Sequence, residues 1–325
     1  MRAIARQDYG GPEQLLLQQV PDPEPLAGHV LIDVKAFGLN HAEIYFRTGA
    51  WGDVARVSGI ECVGTVRADP DGRFAAAQRV ATLMGGMGRT IDGSYAEQVR
   101  VRAAHVVPID TTLSWEDFAA IPESYTTAWT CLTRNLALAR EQTLLIRGAT
   151  SALGQAALNI ATHAGARVIA TTRNPQRLDS LMALGVHAAM LDDATLSRRI
   201  RERHPEGVDA ALDLVGNSTL LDSLAAVRPD GRVCLAGFLG GGAPIAAFDP
   251  LAHMPSGVHL SFFASFMFGT PPYPLSDVPL QALVDRVAAG SYKAKPVKVF
   301  RFEDIQAAHR LMESNQANGK IVVRL

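Results

Sequence analysis

Cysteine is scarce and scattered. The 325 residues hold three, Cys62, Cys131 and Cys234, an odd number lying far apart in the chain. That excludes a disulfide framework and points to a reducing compartment. A long hydrophobic run is missing too: none reaches the ~20 residues of a membrane helix, and the first residues carry no apolar signal region, so a cytoplasmic protein is expected. Nor is there a surplus of either charge. Lys+Arg number 31 against 32 Asp+Glu, a net charge of −1, so no general field draws the chain toward nucleic acid or an anionic membrane. No internal repeat or low-complexity segment is present. What remains, 48% apolar and 19% charged residues, describes a globular protein long enough for two domains, each with its own core.

The most informative stretch runs over residues 142–177. Leu144, Leu145 and Ile146 form a short apolar run suited to a strand buried on both faces. The period then changes: Leu153, Ala157, Ile160, Ala161 and Ala164 recur at helical spacing, and Gly165 stands where a helix would stop. Residues 167–171 are β-branched and apolar again. A strand, a helical crossover and a second strand in so few residues demand a parallel pair. The turn Gly148-Ala149-Thr150-Ser151-Ala152-Leu153-Gly154 opens the helix with small residues, which let backbone N–H groups and the positive end of the helix dipole approach a pyrophosphate. Against the G-x-G-x-x-G pattern the three glycine positions hold Ala149, Ser151 and Gly154, so only the helix-packing glycine is retained. At the end of the second strand, where an NAD site carries a carboxylate, stand Thr171, Thr172, Arg173 and Asn174. Arg173 and Arg177 offer charge and Thr172 a hydroxyl to a 2′-phosphate, which favours NADP(H); the other reading makes both arginines ordinary solvated residues.

Residues 1 to about 118 differ in kind. Short strand candidates at 30–34, 61–66, 79–83 and 95–101, punctuated by Gly, Pro and Asp, predict an all-β domain, a folded sheet or partly open barrel. Residues 40–49 predict a short helix with one face toward a cleft. Ser114 with Asp117 resembles a capping arrangement, and 125–138 a long helix. Beyond the βαβ unit, helices at 176–184, 194–203 and 218–227 alternate with strands at 187–191, 208–215 and 232–236, the last after a Pro229-Asp230-Gly231 turn, and 258–264 is the expected final strand. That alternation predicts a doubly wound parallel sheet. The remainder, with helices at 280–289 and 302–313 and strands at 297–300 and 320–324, is too small for its own core and is expected to complete the first domain. The resulting division is 1–122 with 266–325, and 123–265.

Several groups of residues, in order and spacing, resemble the medium-chain dehydrogenase/reductase superfamily, in its zinc-free quinone oxidoreductase branch. They are Gly38-Leu39-Asn40 through Arg47 and Gly49, Gly59-Ile60-Glu61-Cys62-Val63-Gly64, Gly93-Ser94-Tyr95-Ala96-Glu97, Tyr125-Thr126-Thr127-Ala128-Trp129, the turn 148–154, Gly207-Val208-Asp209 with Asp213, Gly231-Arg232-Val233 and Gly319-Lys320-Ile321-Val322. The resemblance implies an α/β chain with a GroES-like β-rich catalytic domain and a Rossmann domain, NADPH in the cleft between them, and often a homodimer joined through the last Rossmann strands. It implies that Asn40 and Tyr45 lie near the nicotinamide with Glu43 beside them, and that Thr127 contacts the same side. Ser151, Ala152 and Leu153 would hold the pyrophosphate, Thr172, Arg173 and Arg177 the 2′-phosphate, and Gly237, Phe238 and Leu239 the nicotinamide ribose. Relatives commonly carry a glycine pair where this chain has Ser151-Ala152.

Zinc-dependent members of the superfamily use a Cys and a Gly-His-Glu histidine as catalytic ligands; Asn40 and Ile60 stand at those positions and cannot replace them, and no cysteine lies between Gly64 and Tyr125 to form a structural zinc lobe. No metal is expected. His41 is read as a hydrogen-bonded histidine of a helix turn. Without a Lewis acid an alkoxide is poorly stabilised, whereas hydride addition to a quinone or an enone puts charge on an oxygen already conjugated to the acceptor. The expected reaction is therefore reduction of a quinone or related α,β-unsaturated carbonyl by NADPH, with Tyr45, Asn40 or solvent supporting the oxyanion; Tyr45 is either a proton donor or a stacking, cleft-lining residue. The alternatives are a dedicated 2-enoyl or alkenal reductase and a non-catalytic, NADPH-responsive nucleic-acid-binding protein. For the last, the basic run 198–203 is better read as a solvated helix face. The apolar segment 251–273 reads as core and dimer interface in its strand part, and as a possible wall of an acceptor pocket after Ala264.

Overall fold

The computed structural model describes residues 1–325. At the start, β1 (Arg2–Arg6) and β2 (Leu15–Gln19) pair as an antiparallel ribbon. β3 (His29–Gly38) leads into α1 (Ala42–Thr48), which stops at Gly49 because that residue takes a left-handed φ of 77°. β4 (Glu61–Ala68), β5 (Arg79–Leu83), β6 (Gln98–Arg102) and β7 (Val106–Pro108) follow. Alternation sets their faces: in β6, Val99 and Val101 are buried while Arg100 and Arg102 between and beyond them are not.

α2 (Trp115–Ala119) begins as expected, with the Ser114 hydroxyl accepting the Asp117 N–H at 3.1 Å. The helix expected over 125–138 differs. α3 (Pro122–Thr130) starts earlier, with Pro122 at its first position, and gives way to a π-helical stretch, Cys131–Asn135. There the Leu136 N–H reaches back five residues to the Cys131 carbonyl at 2.9 Å.

The middle of the chain alternates as predicted: β8 (Thr143–Arg147), α4 (Ala152–His163), β9 (Arg167–Thr172), α5 (Leu178–Met182), β10 (Ala188–Leu191), α6 (Leu196–Arg203), β11 (Val208–Asp213), α7 (Leu220–Ala226), β12 (Val227–Leu235), α8 (Pro250–His253) and β13 (His259–Phe262). Six strands form one parallel sheet in the order β10-β9-β8-β11-β12-β13, the doubly wound arrangement. One expectation fails here. Pro229-Asp230-Gly231 does not separate a helix from a strand; β12 starts at Val227 and carries these residues as a bulge, so that Val208 pairs with Val227 but Ala210 with Arg232. Asp230 takes the left-handed φ of 57° that the bulge requires, and Arg228 is tied to Asp209 at 2.8 Å.

The tail supplies α9 (Leu280–Ala288), β14 (Lys298–Arg301), α10 (Ile305–Glu313) and β15 (Ile321–Arg324). β15 pairs parallel with β14 and antiparallel with β3, giving a seven-stranded sheet, β14-β15-β3-β4-β5-β7 with β6 also on β3. The chain thus divides into unit 1, Met1–Thr126 with Ser265–Leu325, and unit 2, Thr127–Ala264. Unit 1 packs Ile4, Val30, Ile32, Phe37, Val99, Phe302 and Val323 into its core, and unit 2 Leu145, Ile169, Ile200, Ala211, Leu224 and Val233. Each of these side chains apart from the smaller Ala211 contributes about 1.5–3 kcal/mol on leaving water. No helix is long and apolar enough to cross a membrane.

Candidate active site

In unit 2 the strand order reverses between β8 and β11, and the crevice outside their carboxyl ends is where open α/β sheets bind nucleotides. The turn 148–154 lies there. Gly148 takes φ 76°, so the tight-turn glycine is present after all, one position before the one where the pattern seeks it. Gly154 packs α4 on the sheet: a Cβ there would lie 2.5 Å from the Gly148 carbonyl oxygen. Ser151 caps α4 by accepting the Gly154 N–H at 3.1 Å, which leaves the N–H groups of Ala152 and Leu153 without a partner in the chain. The loop after β12 is laced to the loop after β11, Leu239 N–H to Leu214 O at 3.1 Å and Gly240 N–H to Val215 O at 2.8 Å. Leu239 also borders Gly148, whose added Cβ would meet Leu239 Cδ1 at 3.1 Å. Gly148, the α4 start and Leu239, with its neighbours Gly237 and Phe238, therefore share one corner of unit 2.

At the end of β9, Thr172 is buried and its hydroxyl accepts the Asn174 N–H at 3.2 Å; Arg173 is exposed with no ion pair, and Arg177 is partly buried. The nearby carboxylate that could oppose an anion is already engaged. Asp192, which follows β10, is held by the buried Arg147 guanidinium and by the Thr171 hydroxyl at 2.7 Å. Arg147 also reaches Asp222 at 2.7 Å, while Asp213 accepts from the Val215 and Gly216 N–H groups and the Thr219 and Ser223 hydroxyls. This ionic knot beneath the switch point was not anticipated. An arginine closing the apolar run Leu144-Leu145-Ile146 was the available signal, since a buried charge must be paired.

Unit 1 holds a second polar core. Glu61 opens β4 wholly buried, and its carboxyl meets donors only: Lys320 Nζ at 2.5 Å, Asn40 Nδ2 at 2.9 Å and the Glu123 N–H at 2.8 Å, at the start of α3. Lys320 Nζ also donates to Asn40 Oδ1 at 2.7 Å. Glu43, on α1, accepts from the Asn40 N–H, the Ile60 N–H and the Tyr95 hydroxyl at 2.8, 3.1 and 2.8 Å. Burial pushes its carboxyl up to about 7. Tyr95 in turn lies 3.0 Å from His309 Nε2, and burial followed by the Arg47 charge takes that imidazole down to about 3. Glu61, Tyr95, His309 and Lys320 were not among the expected site residues. Glu61 within Ile60-Glu61-Cys62-Val63 and Lys320 ahead of Ile321-Val322-Val323 were the readable hints, charges set against apolar strands.

Of the expected site residues, Asn40 sits in this network, whereas the Tyr45 ring stacks on Trp51 (4.8 Å) and meets His41 edge-on (5.3 Å). Burial raises the Tyr45 phenol and lowers the His41 imidazole. His41, which precedes α1, makes this ring contact and no side-chain capping bond. Thr127 is buried in α3. The basic run is only partly a solvated face: Arg201 donates to the Ala225, Pro205 and Val227 carbonyls and Arg199 to that of Leu191, while Arg198 and Glu202 face solvent.

The profile described as "Alcohol dehydrogenase GroES-like domain" matches residues 26–111, and that described as "Zinc-binding dehydrogenase" matches 152–274. A mouse quinone oxidoreductase is 30% identical over 259 residues, 74% of each chain. The chain belongs to the medium-chain dehydrogenase/reductase superfamily, in its quinone oxidoreductase-like branch. The squalestatin tetraketide synthase of Cochliobolus lunatus is 27% identical over 325 residues, 96% of this chain but 12% of its own length. Two solved structures, each 26% identical with full coverage of both chains, superpose with TM-scores of 0.88 and 0.85: a mycobacterial protein complexed with NADPH and an NAD-dependent alcohol dehydrogenase. The superfamily's two-domain architecture is the one described here.

Proposed function

We propose that this protein transfers a hydride from NADPH to a quinone or a related α,β-unsaturated carbonyl without a metal ion. The observation that carries the reading is the corner at the β8/β11 switch point, with two unpartnered N–H groups at the α4 start and an exposed, unpaired Arg173 where an NAD site would carry a carboxylate. NADPH fits these residues, and supplies the hydride when bound. Ser151, Ala152 and Leu153 take the pyrophosphate, Thr172, Arg173 and Arg177 the 2′-phosphate, and Gly237, Phe238 and Leu239 the nicotinamide ribose, with Thr127 on the nicotinamide side. Arg147 supports the choice of the phosphorylated coenzyme by keeping Asp192 neutralised.

Asn40 and Tyr45 face the acceptor in this reading. Asn40 Nδ2 supports the oxygen that gains charge, and Tyr45, held un-ionised by burial, either lines the pocket or lends its proton. Metal-free chemistry is supported by the residues themselves: Asn40 offers its amide oxygen to an ammonium, and Ile60 has no ligand atom. A second copy would pair along the open edge of β13, where Leu260 and Phe262 are 38% and 56% exposed.

A 2-enoyl reductase is the second reading, favoured by the match of nearly the whole chain to part of a tetraketide synthase. A nucleic-acid-binding role has less support, since Arg199 and Arg201 are spent on carbonyls. The test is NADPH oxidation against a panel of quinones and enones, beside Arg173→Ala. Loss of one charge-assisted contact should raise the KM for NADPH about 10-fold and leave that for NADH unchanged. Equal use of both coenzymes by the unaltered protein ends the NADPH assignment, and failure of every acceptor ends the reductase.

A further inference from the structure

We propose that Lys320 is a positioning residue that fixes the Asn40 amide with its N–H, rather than its carbonyl, toward the reacting oxygen; this rests on the role given to Asn40 above. A carboxamide has two ends of nearly equal shape, and only its partners decide which way it points. Here both partners are unambiguous. Lys320 Nζ can only donate, so the atom 2.7 Å from it is Oδ1. Glu61 Oε1, 2.9 Å from the other end, already takes the ammonium at 2.5 Å, so the group facing it is the NH2. Turning the amide over would set NH2 against an ammonium and C=O against a carboxylate, repulsive at both ends.

One amide hydrogen is spent on Glu61. The other reaches the Gly38 carbonyl only at 3.4 Å, and Asn40 is partly exposed, so that hydrogen is the one a developing oxyanion can take. Left free, the same side chain would offer its oxygen as readily as its nitrogen, and half of its orientations would repel the charge that the reaction creates.

The place is built for the lysine. Lys320 is 5% exposed and Glu61 fully buried, and β3 makes room for both: a Cβ on Gly38 would lie 2.3 Å from Lys320 Cε and 2.5 Å from Glu61 Oε1. Glu61 is itself anchored at the start of α3 through the Glu123 N–H. The acceptor-facing amide is therefore oriented by a residue 280 positions further along the chain.

The experiment is a double-mutant cycle on kcat with the acceptor that the panel identifies. Asn40→Ala is expected to lower kcat on the order of 100-fold, and Lys320→Met on the order of 10-fold, with the KM for NADPH unchanged in both. The double variant should be no slower than Asn40→Ala, because a lysine that acts through the amide has nothing left to orient. Losses that multiply, or an unaltered kcat in Lys320→Met, overturn the proposal. Should Lys320→Met fail to fold with Glu61 left unpaired, Lys320→Met/Glu61→Gln removes both charges and carries the same expectation. An Asn40→Ala protein of full activity would instead sink the oxyanion role of Asn40, and this proposal with it. Independently of turnover, the two side-chain N–H signals of Asn40 in a nitrogen-15 spectrum should be well separated in the native protein and converge in Lys320→Met; signals that do not move overturn the proposal even in a protein that reduces nothing.

Discussion

Tyr95, buried at the centre of unit 1, gives its hydroxyl proton to Glu43 and accepts from His309 Nε2–H, which leaves His309 Nδ1 without a partner. The two ends of this chain titrate in opposite senses. Glu43 rises from 4.5 to about 7 because burial disfavours the carboxylate, so the folded protein binds more protons than the unfolded one between those values and loses stability as pH rises through them. His309 falls from 6.5 to about 3 for the same reason, with Arg47 adding to it; the unfolded protein binds more protons there, and stability is lost as pH falls toward 3. From 4.5 to 6.5 the two slopes oppose each other. Urea unfolding across this range should therefore show a shallow profile, whereas Glu43→Gln should expose the histidine's slope alone, a gain on the order of 3 kcal/mol from pH 4.5 to 6.5. A variant as flat as the parent would show that one of the pair is not buried as described. None of this was legible in the sequence, where Glu43 was only a neighbour of the cleft residues and His309 one residue of the helix expected over 302–313. The partners that make them titrate oddly come from strands and helices remote in the chain. Asn40, Arg173 and the small-residue turn could be singled out because each belongs to one local motif.

Among the elements, the β8-α4-β9 unit was read almost residue by residue, since period and punctuation agree over a short stretch of chain. β12 was misread because Pro229-Asp230-Gly231 carries the composition of a turn. Only pairing with β11 on one side and β13 on the other, which no local pattern encodes, makes it a bulge inside a strand. Contact across elements also reverses an ordinary rule in α4. Glycine to alanine inside a helix normally stabilises by about 1 kcal/mol, but Gly154→Ala would thrust a methyl to 2.5 Å from the Gly148 carbonyl oxygen and 2.7 Å from Ala149 Cα. Expected instead are a thermal midpoint lowered by several degrees, for a loss of about 1–3 kcal/mol, and weakened coenzyme binding as α4 lifts from β8. Gly242→Ala, with nothing within 4 Å of the new methyl, is the matched control. Equal midpoints for the two variants would contradict the close packing of α4.

At the scale of the whole molecule, unit 1 is closed by residues from both ends of the chain, and β15 lies between β14 and β3. Removing residues 319–325 takes away that strand and the cation beside Glu61, which leaves a sheet edge and a buried carboxylate unpaired. Such a truncated chain should lose unit 1 cooperatively, and limited proteolysis should then leave a protected fragment close to Thr127–Ala264, the unit whose six strands are contiguous in sequence. Uniform digestion of both units would refute that independence. The order in which a ribosome delivers these pieces has its own consequence. The parallel sheet can assemble as soon as its last strand emerges, while the β-rich half must wait, its third strand bare over Ala36–Gly38, until residues 321–324 have been made. During synthesis the nucleotide-binding half is therefore the first to acquire its native shape, and it is the waiting N-terminal half that needs shielding from neighbouring nascent chains.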